Sequence, residues 1–230
     1  MSQQFSTTIY AASTWVLPLL VAITLHEAAH GYVAHRFGDD TAWRLGRVSF
    51  NPLSHVDPFG TVLLPALLLV SHSPFLFGYA KPVPVNFRRL RNPRRDMIWV
   101  AAAGPAMNLA LATATALLIH GVGFLPHEVG QWCLANLSNA ITINVFLAVF
   151  NMIPLPPLDG GQVAVGLLPN ALARPLAALE PYGMLIVIGL FFLLPMFQAQ
   201  LGVDINLFAQ IVIRPANAIT QLILRLAGLA

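Results

Sequence analysis

Long apolar runs, separated by short basic or turn-rich segments, dominate this sequence. The first run covers residues 9–36 and the second covers 97–126, and each is long enough to cross a bilayer as a helix. Three further apolar runs follow at 137–156, 182–197 and 206–226. The pattern therefore predicts an all-α polytopic membrane protein with about five transmembrane helices.

The uncharged segment 58–80 is less regular, because Pro65, Pro74 and Gly78 interrupt it. Basic residues lie on both sides of it, at 44 and 47 and again between 81 and 95. Basic flanks stay on the cytoplasmic side of a membrane, so a re-entrant hairpin is favoured over a short sixth span. Its irregular backbone must then be covered by protein or border a cavity. The stretch 75–87 could form an extended edge that pairs with an unfolded substrate.

The composition excludes a soluble globular domain. Hydrophobic residues make up 57% of the chain and charged residues only 9%, with a mean hydropathy of +0.72, whereas soluble domains have about 25% charged residues. The net charge of +3 comes mainly from the basic segments beside apolar runs, which indicates membrane topology and not a nucleic-acid-binding face. Residues 1–8 lack a basic region, so no cleavable signal peptide is expected.

The first apolar run contains the sequence His-Glu-Ala-Ala-His, which begins at His26 and ends at His30. Residues four apart lie on one face of a helix, so both imidazoles can bind a single zinc ion. Glu27 lies between them and can accept a proton from water. Ionisable groups inside a membrane segment usually have a function. The first hypothesis is therefore a metalloprotease whose zinc lies within the membrane.

Arginines after the first run indicate which side of the membrane the site is on. Arg36, Arg44 and Arg47 follow the histidine pair closely and place this end of the helix in the cytoplasm. At 1.5 Å per residue, His30 is about 9 Å from Arg36 along the helix. We therefore expect the metal just below the cytoplasmic surface, at a depth that water can reach.

A zinc ion with two histidine ligands needs a third protein ligand and an open position for water. The run 137–156 returns to the cytoplasmic side and leads into Pro-Pro-Leu-Asp-Gly-Gly, which contains Asp159. Asp159 is the best-placed candidate because the glycines after it let the backbone approach closely, although the same residues would also make an ordinary turn. Other cytoplasmic candidates are His35, Asp39, Asp40, His55, Asp57 and Asp96. Cys133, the single cysteine, excludes an intrachain disulfide and a cysteine-based zinc site.

Three motifs on separate apolar runs resemble those of the site-2 protease family of intramembrane zinc metalloproteases. The similarity covers residues 15–161. The motifs, in the order of that family, are His26 to His30, Gly-Pro-Ala-Met-Asn from Gly104 to Asn108, and Asn151 to Gly160, which ends in Leu-Asp-Gly. Together they make a far more specific signal than any one of them alone.

The resemblance implies a zinc metalloendopeptidase that cuts membrane proteins in or near their transmembrane segments, as in regulated intramembrane proteolysis. It implies one zinc ion per chain, with Glu27 as the general base. Asn108 and Asn151 match positions that orient substrate or stabilise the oxyanion. The implied zinc ligands are His26, His30 and Asp159.

The resemblance is to a compact branch of the family, because the chain has no room for a PDZ or CBS domain. We expect one membrane-embedded domain over residues 1–230, with a core at 9–161 and additional helices at 175–230. The expected location is a prokaryotic inner membrane, with the active site towards the cytoplasm. Transmembrane protein substrates and the lipid bilayer are the expected partners, nucleic acid is not, and the oligomeric state stays open.

Two other functions compete with the protease. A catalytically inert membrane scaffold of the same fold would have lost a ligand or the base, whereas all four residues are present here. A metal transporter would show ligands along a path across the bilayer and often internal repeats. Two residues stay unassigned: His55 could stabilise a turn or gate the cavity, and Arg214 could snorkel or pair with Glu180.

Overall fold

The structure is a computed structural model that describes residues 2–63, 67, 80–194 and 206–230, and within these residues all regular structure is helical. This confirms the all-α prediction. The α-helices are α1 (Ser2–Arg36), α2 (Thr41–Arg44), α3 (Pro93–Leu118), α4 (His127–Asn151), α5 (Asp159–Leu167), α6 (Asn170–Ala177), α7 (Gly183–Ile188) and α8 (Arg214–Leu226). Short 3-10 or π-helical turns occur at Pro52–His55, Pro58–Leu63, Phe87–Arg89, Ile119–Phe124, Glu180–Tyr182, Gly189–Leu193 and Ala209–Ile213.

Three helices in the described part of the chain are long and apolar enough to cross a bilayer, and the protein is an integral membrane protein. They are Ile9–Arg36 within α1, Pro93–Phe124, which is α3 with its 3-10 extension, and His127–Asn151, which is α4. A bent pair, Asn170–Ala177 with Glu180–Phe191, has an angle of 68° and could form a fourth span. The predicted last span contains α8, which is not among these candidates and carries Arg214 and Arg225.

Helices α1, α3 and α4 pack against one another and form the centre of the fold. Small side chains occupy their interfaces, and Ala22, Ala112 and Ala116 are completely buried. Small residues allow membrane helices to approach closely, which brings polar groups on different helices within hydrogen-bonding distance. Ile223 of α8, with Ala227 just after its end, packs against α3 and α4.

Helix α4 begins ten residues earlier than the hydrophobic pattern predicted, at His127 instead of 137. The predicted start was wrong because the polar side chains in this stretch find local partners. Glu128 lies in the first turn, where the negative charge of a carboxylate interacts favourably with the helix dipole. Asn136 Nδ2 donates a hydrogen bond to the Trp132 carbonyl, 2.9 Å away. The helix also ends earlier than predicted, at Asn151, just before the proline-rich loop.

The connections that follow α1 fold back onto its C-terminal end. Asp39 is buried and accepts hydrogen bonds from the backbone N–H of Thr41 and of Asn86. His55 is also buried, with its Nε2 3.0 Å from the Ser49 carbonyl, and its own carbonyl accepts the Lys81 N–H. These bonds favour the turn-stabilising interpretation of His55. They also hold segment 80–86 beside α1. This segment has no regular secondary structure, and its prolines at 82 and 84 favour an extended backbone, so we call it the extended segment.

Two predictions lie wholly or partly outside the described residues. The expected hairpin at 58–80 is described only at 58–63, 67 and 80, where Pro58–Leu63 forms a π-helical turn. The end of the apolar run 182–197 also falls outside them, because residues 195–205 are not described. The re-entrant path therefore stays a prediction.

Candidate metal centre

Helix α1 and the first residue of α5 bring the three predicted ligands together. His26 Nε2 and His30 Nε2 are 3.0 Å apart, and both residues are buried. Asp159 Oδ2 lies 3.2 Å from His26 Nε2, and Asp159 Oδ1 lies 3.4 Å from His30 Nε2. Among the described residues, these three form a group that could hold a metal ion. Residues that are far apart in the sequence therefore meet at one point.

The spacing of these atoms fits a tetrahedral zinc ion. Zinc binds nitrogen and oxygen at about 2.0–2.1 Å, so two ligand atoms of a tetrahedral site lie about 3.3 Å apart. The three distances here are 3.0, 3.2 and 3.4 Å. In addition, Asp159 Oδ2 is buried without a hydrogen-bond partner among the described residues. A buried carboxylate oxygen of this kind needs a cation.

The second nitrogen of each imidazole is hydrogen-bonded away from the site. His30 Nδ1 lies 2.7 Å from the Val100 carbonyl on α3. A carbonyl only accepts, so Nδ1 carries the proton and Nε2 presents a lone pair. His26 Nδ1 lies 2.6 Å from Asn108 Oδ1. Lone pairs and a carboxylate that converge at these distances repel one another unless a cation lies between them.

Gly104 on α3 makes room for both imidazoles. A Cβ atom at this position would lie 2.6 Å from His26 Nε2 and closer still to His30 Nε2. Any larger residue would therefore collide with the ligand atoms themselves. This explains the glycine of the Gly-Pro-Ala-Met-Asn motif: it lets α3 form the wall against which the two histidines lie.

Close backbone packing places Asp159 in the site. A Cβ atom at Gly160 would lie 2.6 Å from the Ile153 carbonyl oxygen, and one at Gly161 would lie 2.6 Å from Pro156 Cα. The start of α5 thus packs directly on the proline-rich loop that precedes it. Burial raises the pKa of the Asp159 carboxyl, but the adjacent imidazoles of His30 and His26 lower it more, to about 2. Asp159 is therefore ionised and able to bind a cation.

Glu27 is held by a backbone amide from the extended segment 80–86. The Val83 N–H donates a hydrogen bond to Glu27 Oε2, 2.7 Å away. Arg47 Nη2 fixes the segment by donating to the Lys81 carbonyl at 2.9 Å and to the Pro82 carbonyl at 3.3 Å. With Oε2 engaged, Oε1 is the oxygen that can accept a proton. Sequence reasoning missed this contact, because main-chain donors leave no signal in the residue pattern.

The two asparagines of the predicted site lie in different surroundings. Asn108 is completely buried, with Oδ1 against His26 and Nδ2 donating to the Ala22 carbonyl and to Asn144. Since both of its polar atoms face the helix interfaces, the structure does not give Asn108 the predicted contact with substrate. Asn151 is half-buried and donates to the Leu147 carbonyl of its own helix, at 3.0 Å. Its predicted contact with substrate stays a prediction.

The remaining ligand candidates serve local structure. The His35 ring stacks on Trp43 with 4.5 Å between centroids. Asp40 pairs with Arg44 and Arg89, and Asp96 accepts the Asn92 N–H at the start of α3. The contacts of Asp40 and Asp96 account for their carboxylates without a metal, whereas His35 Nδ1 is buried without a hydrogen-bond partner among the described residues.

Comparisons with known proteins place the chain among zinc metalloproteases. A family model described as Peptidase family M50 matches residues 127–196. The chain is 40% identical over 184 residues to "Putative zinc metalloprotease YwhC" of Bacillus subtilis, which is 76% of this chain and 78% of that protein. It is 31% identical over 170 residues to "Putative zinc metalloprotease Rip2" of Mycolicibacterium smegmatis, covering 74% of this chain and 62% of the relative.

An archaeal relative extends the comparison. The chain is 31% identical over 140 residues to "Putative zinc metalloprotease MJ0611" of Methanocaldococcus jannaschii, covering 60% of this chain and 62% of that protein. The chain thus spans less than two thirds of this relative and of Rip2. No solved structure matches it.

Proposed function

Since this chain belongs to peptidase family M50, the site-2 protease family, we propose that it is an intramembrane zinc metalloprotease that hydrolyses peptide bonds in or near the transmembrane segments of other membrane proteins. Such an enzyme would take part in regulated intramembrane proteolysis. The observation that carries the proposal is the convergence of two imidazole Nε2 atoms and one carboxylate within 3.4 Å of one another, one residue away from Glu27.

The roles of the side chains follow from their positions. His26 and His30 would hold zinc through Nε2, and Asp159 would hold it through a carboxylate oxygen. When bound, zinc supplies a Lewis acid that acidifies water and polarises a peptide carbonyl. Glu27 then accepts a proton from the attacking water at Oε1 and delivers it to the leaving amide nitrogen, while the Val83 N–H keeps the carboxylate oriented.

The substrate must present an unwound peptide to this site. A transmembrane helix hides its peptide groups in internal hydrogen bonds, so small or helix-breaking residues should favour cleavage. The extended segment 80–86 is a candidate edge for the unwound chain. Proline at 82 and 84 removes two donors, and the Val83 N–H is taken by Glu27. The Val85 N–H and the Val83 carbonyl are the groups that an added strand would use.

We further propose that the protein lies in the inner membrane of a prokaryotic cell and that its site faces the cytoplasm. Arg36 and Arg44 follow the site closely at the end of α1, and a basic cluster between 81 and 95 precedes α3. Such residues stay on the cytoplasmic side. Transmembrane proteins are the proposed substrates, and nucleic acid is not a proposed partner.

The test compares the purified wild type with Glu27→Gln for zinc content and for cleavage of a model transmembrane substrate. Glutamine keeps the size of the side chain but cannot accept the proton, so we expect zinc to be retained and cleavage to fall by at least about 100-fold. Glu128→Gln is the matched control, because Glu128 is exposed at the opposite end of the bundle, in the first turn of α4. This control should cleave at the wild-type rate.

Two other outcomes would refute parts of the proposal. Equal cleavage by wild type and Glu27→Gln would mean that the activity comes from a contaminant or from another site. Stoichiometric zinc without cleavage of any of several transmembrane substrates would favour the inert membrane scaffold.

A further inference from the structure

A chain of buried asparagines connects α4, through α3, to His26 on α1. Asn144 Nδ2 donates to the Ala140 carbonyl at 2.8 Å, and Asn144 Oδ1 accepts from Asn108 Nδ2 at 2.8 Å. Asn108 Oδ1 then faces His26 Nδ1 at 2.6 Å. Asn108 is 0% exposed and Asn144 is 2% exposed. Each of the three central helices therefore contributes one side chain to a single network.

Backbone carbonyls fix the direction of every bond in this network. An asparagine amide can usually adopt either of two orientations, which differ by a 180° rotation that exchanges its oxygen and nitrogen. Here the Ala140 carbonyl can only accept, so Asn144 must present Nδ2 to it and Oδ1 to Asn108. The Ala22 carbonyl, 3.3 Å from Asn108 Nδ2, imposes the same orientation on Asn108. Asn108 thus offers an oxygen to His26, and His26 Nδ1 must carry the proton.

We propose that Asn144 and Asn108 are positioning residues that hold His26 in the tautomer whose Nε2 can bind zinc. If the Asn108 amide were reversed, it would present an N–H to His26 Nδ1. The proton would then move to Nε2, and the ligand lone pair would be lost. Asn144 prevents this reversal, because its Oδ1 accepts only from the nitrogen of Asn108. The inference rests on the proposed function, since it concerns the same metal site.

The two histidines differ in the kind of group that fixes their tautomer. His30 bonds to the Val100 carbonyl, which belongs to the helix backbone and cannot reverse. His26 bonds to a side-chain amide, which can reverse unless a further group holds it. Of the two histidines, only His26 therefore needs a second residue, Asn144, to hold its hydrogen-bond partner in place.

The test measures the zinc dissociation constant of the purified full chain by competition with a chelator. Loss of a residue that orients a metal ligand typically weakens metal binding by about 10- to 100-fold. We expect a loss in this range for Asn108→Ala and a loss near its lower end for Asn144→Ala. Asn136→Ala is the matched control for Asn144→Ala. Asn136 is buried on the same helix as Asn144 and donates to a carbonyl four residues earlier, but within the described part of the chain it has no hydrogen bond to His26 or Asn108. It should bind zinc as the wild type does.

A conservative variant and a spectrum separate positioning from general stability. Asn108→Asp keeps an oxygen acceptor for His26 Nδ1 and should bind zinc more tightly than Asn108→Ala. With Co²⁺ in place of zinc, the ligand-field spectrum should change in Asn108→Ala and in Asn144→Ala but not in Asn136→Ala. The proposal would be overturned if Asn144→Ala and Asn136→Ala lost zinc affinity equally, or if Asn144→Ala lost none.

The remaining outcomes are also decisive. If Asn144→Ala is not monodisperse, the comparison of Asn108→Asp with Asn108→Ala tests the proposal by itself. Equal zinc affinities of these two variants would overturn it. If the affinities follow the expected order but the wild type cleaves no substrate, the positioning role stands and the protease function fails. If the wild type binds no zinc, both fail.

Discussion

Gly104 shows how single atoms limit the metal centre. Its missing side chain leaves the space in which the Nε2 atoms of His26 and His30 lie. We expect Gly104→Ala to displace at least one imidazole and to lower both zinc content and cleavage strongly, because overpacking of a tight interface costs about 1–3 kcal/mol. Metal analysis of the purified variant measures the effect.

Gly121→Ala provides the matched control for this substitution. Gly121 lies in the 3-10 turn after α3, and a Cβ atom there would have no neighbour within 4 Å. This variant should keep its zinc and its activity. A Gly104→Ala protein with full zinc content would show that the histidines do not need this space.

Single residues of the site differ in how well the sequence predicts them. His26, His30 and Asp159 were predictable, because helical spacing and a glycine-rich turn at the same side of the membrane leave a visible pattern. The hydrogen-bond partners of Asn108 were not predictable, because they depend on which helices pack against α3. The structure shows that Asn108 and Asn144 lie behind a ligand, where sequence reasoning had expected the first to contact substrate.

At the level of elements, the extended segment 80–86 connects the polar turns that follow α1 to Glu27, the proposed general base. Val83 donates its N–H to Glu27 Oε2. We expect Val83→Pro to lower kcat by about 10-fold while zinc is retained, because the carboxylate loses the donor that orients it, and small misplacements of catalytic groups are costly. Proline is compatible with an extended backbone. Steady-state cleavage of the model substrate, with metal analysis, measures both quantities.

Val85→Pro separates the lost hydrogen bond from the effect of an added proline. Val85 also lies in the extended segment, and its N–H forms no hydrogen bond within the described residues. Because the Val85 N–H is proposed to pair with the substrate, Val85→Pro should raise KM but keep a kcat close to that of the wild type. If both variants lose kcat equally, the segment matters through its packing and not through the Val83 donor.

Among the elements, long apolar helices were easier to predict than their ends. The spans in α1 and α3 agree with the hydrophobic pattern to within a few residues, because both are bounded by charged or turn-forming residues. The predicted start of α4 did not agree with the structure, because Gln131 and Asn136 are polar but form hydrogen bonds within their own helix. Polarity marks a helix end only where the side chains must reach solvent.

At the scale of the whole molecule, the arrangement across the bilayer follows from where the basic residues lie. Arg36 and Arg95 flank the metal-centre ends of α1 and α3, whereas Gly123 lies in the turn at the other end of α3. Helices α1 and α3 therefore have their site-bearing ends on one side. The same charges predict that segment 58–80 enters and leaves the membrane on that side.

Accessibility of single cysteines in intact cells tests this arrangement. In a Cys133→Ser background, we expect Gly123→Cys to react rapidly with a membrane-impermeant thiol reagent and Arg95→Cys to react only after permeabilisation. Ser71→Cys should behave as Arg95→Cys does, because a re-entrant hairpin never exposes its tip to the far side. Rapid labelling of Ser71→Cys in intact cells, with Arg95→Cys still protected, would instead show that the segment crosses the bilayer. The chain would then have to return to the protected side before Arg95, so this result would reject the re-entrant path and leave the assignment of α3 unchanged.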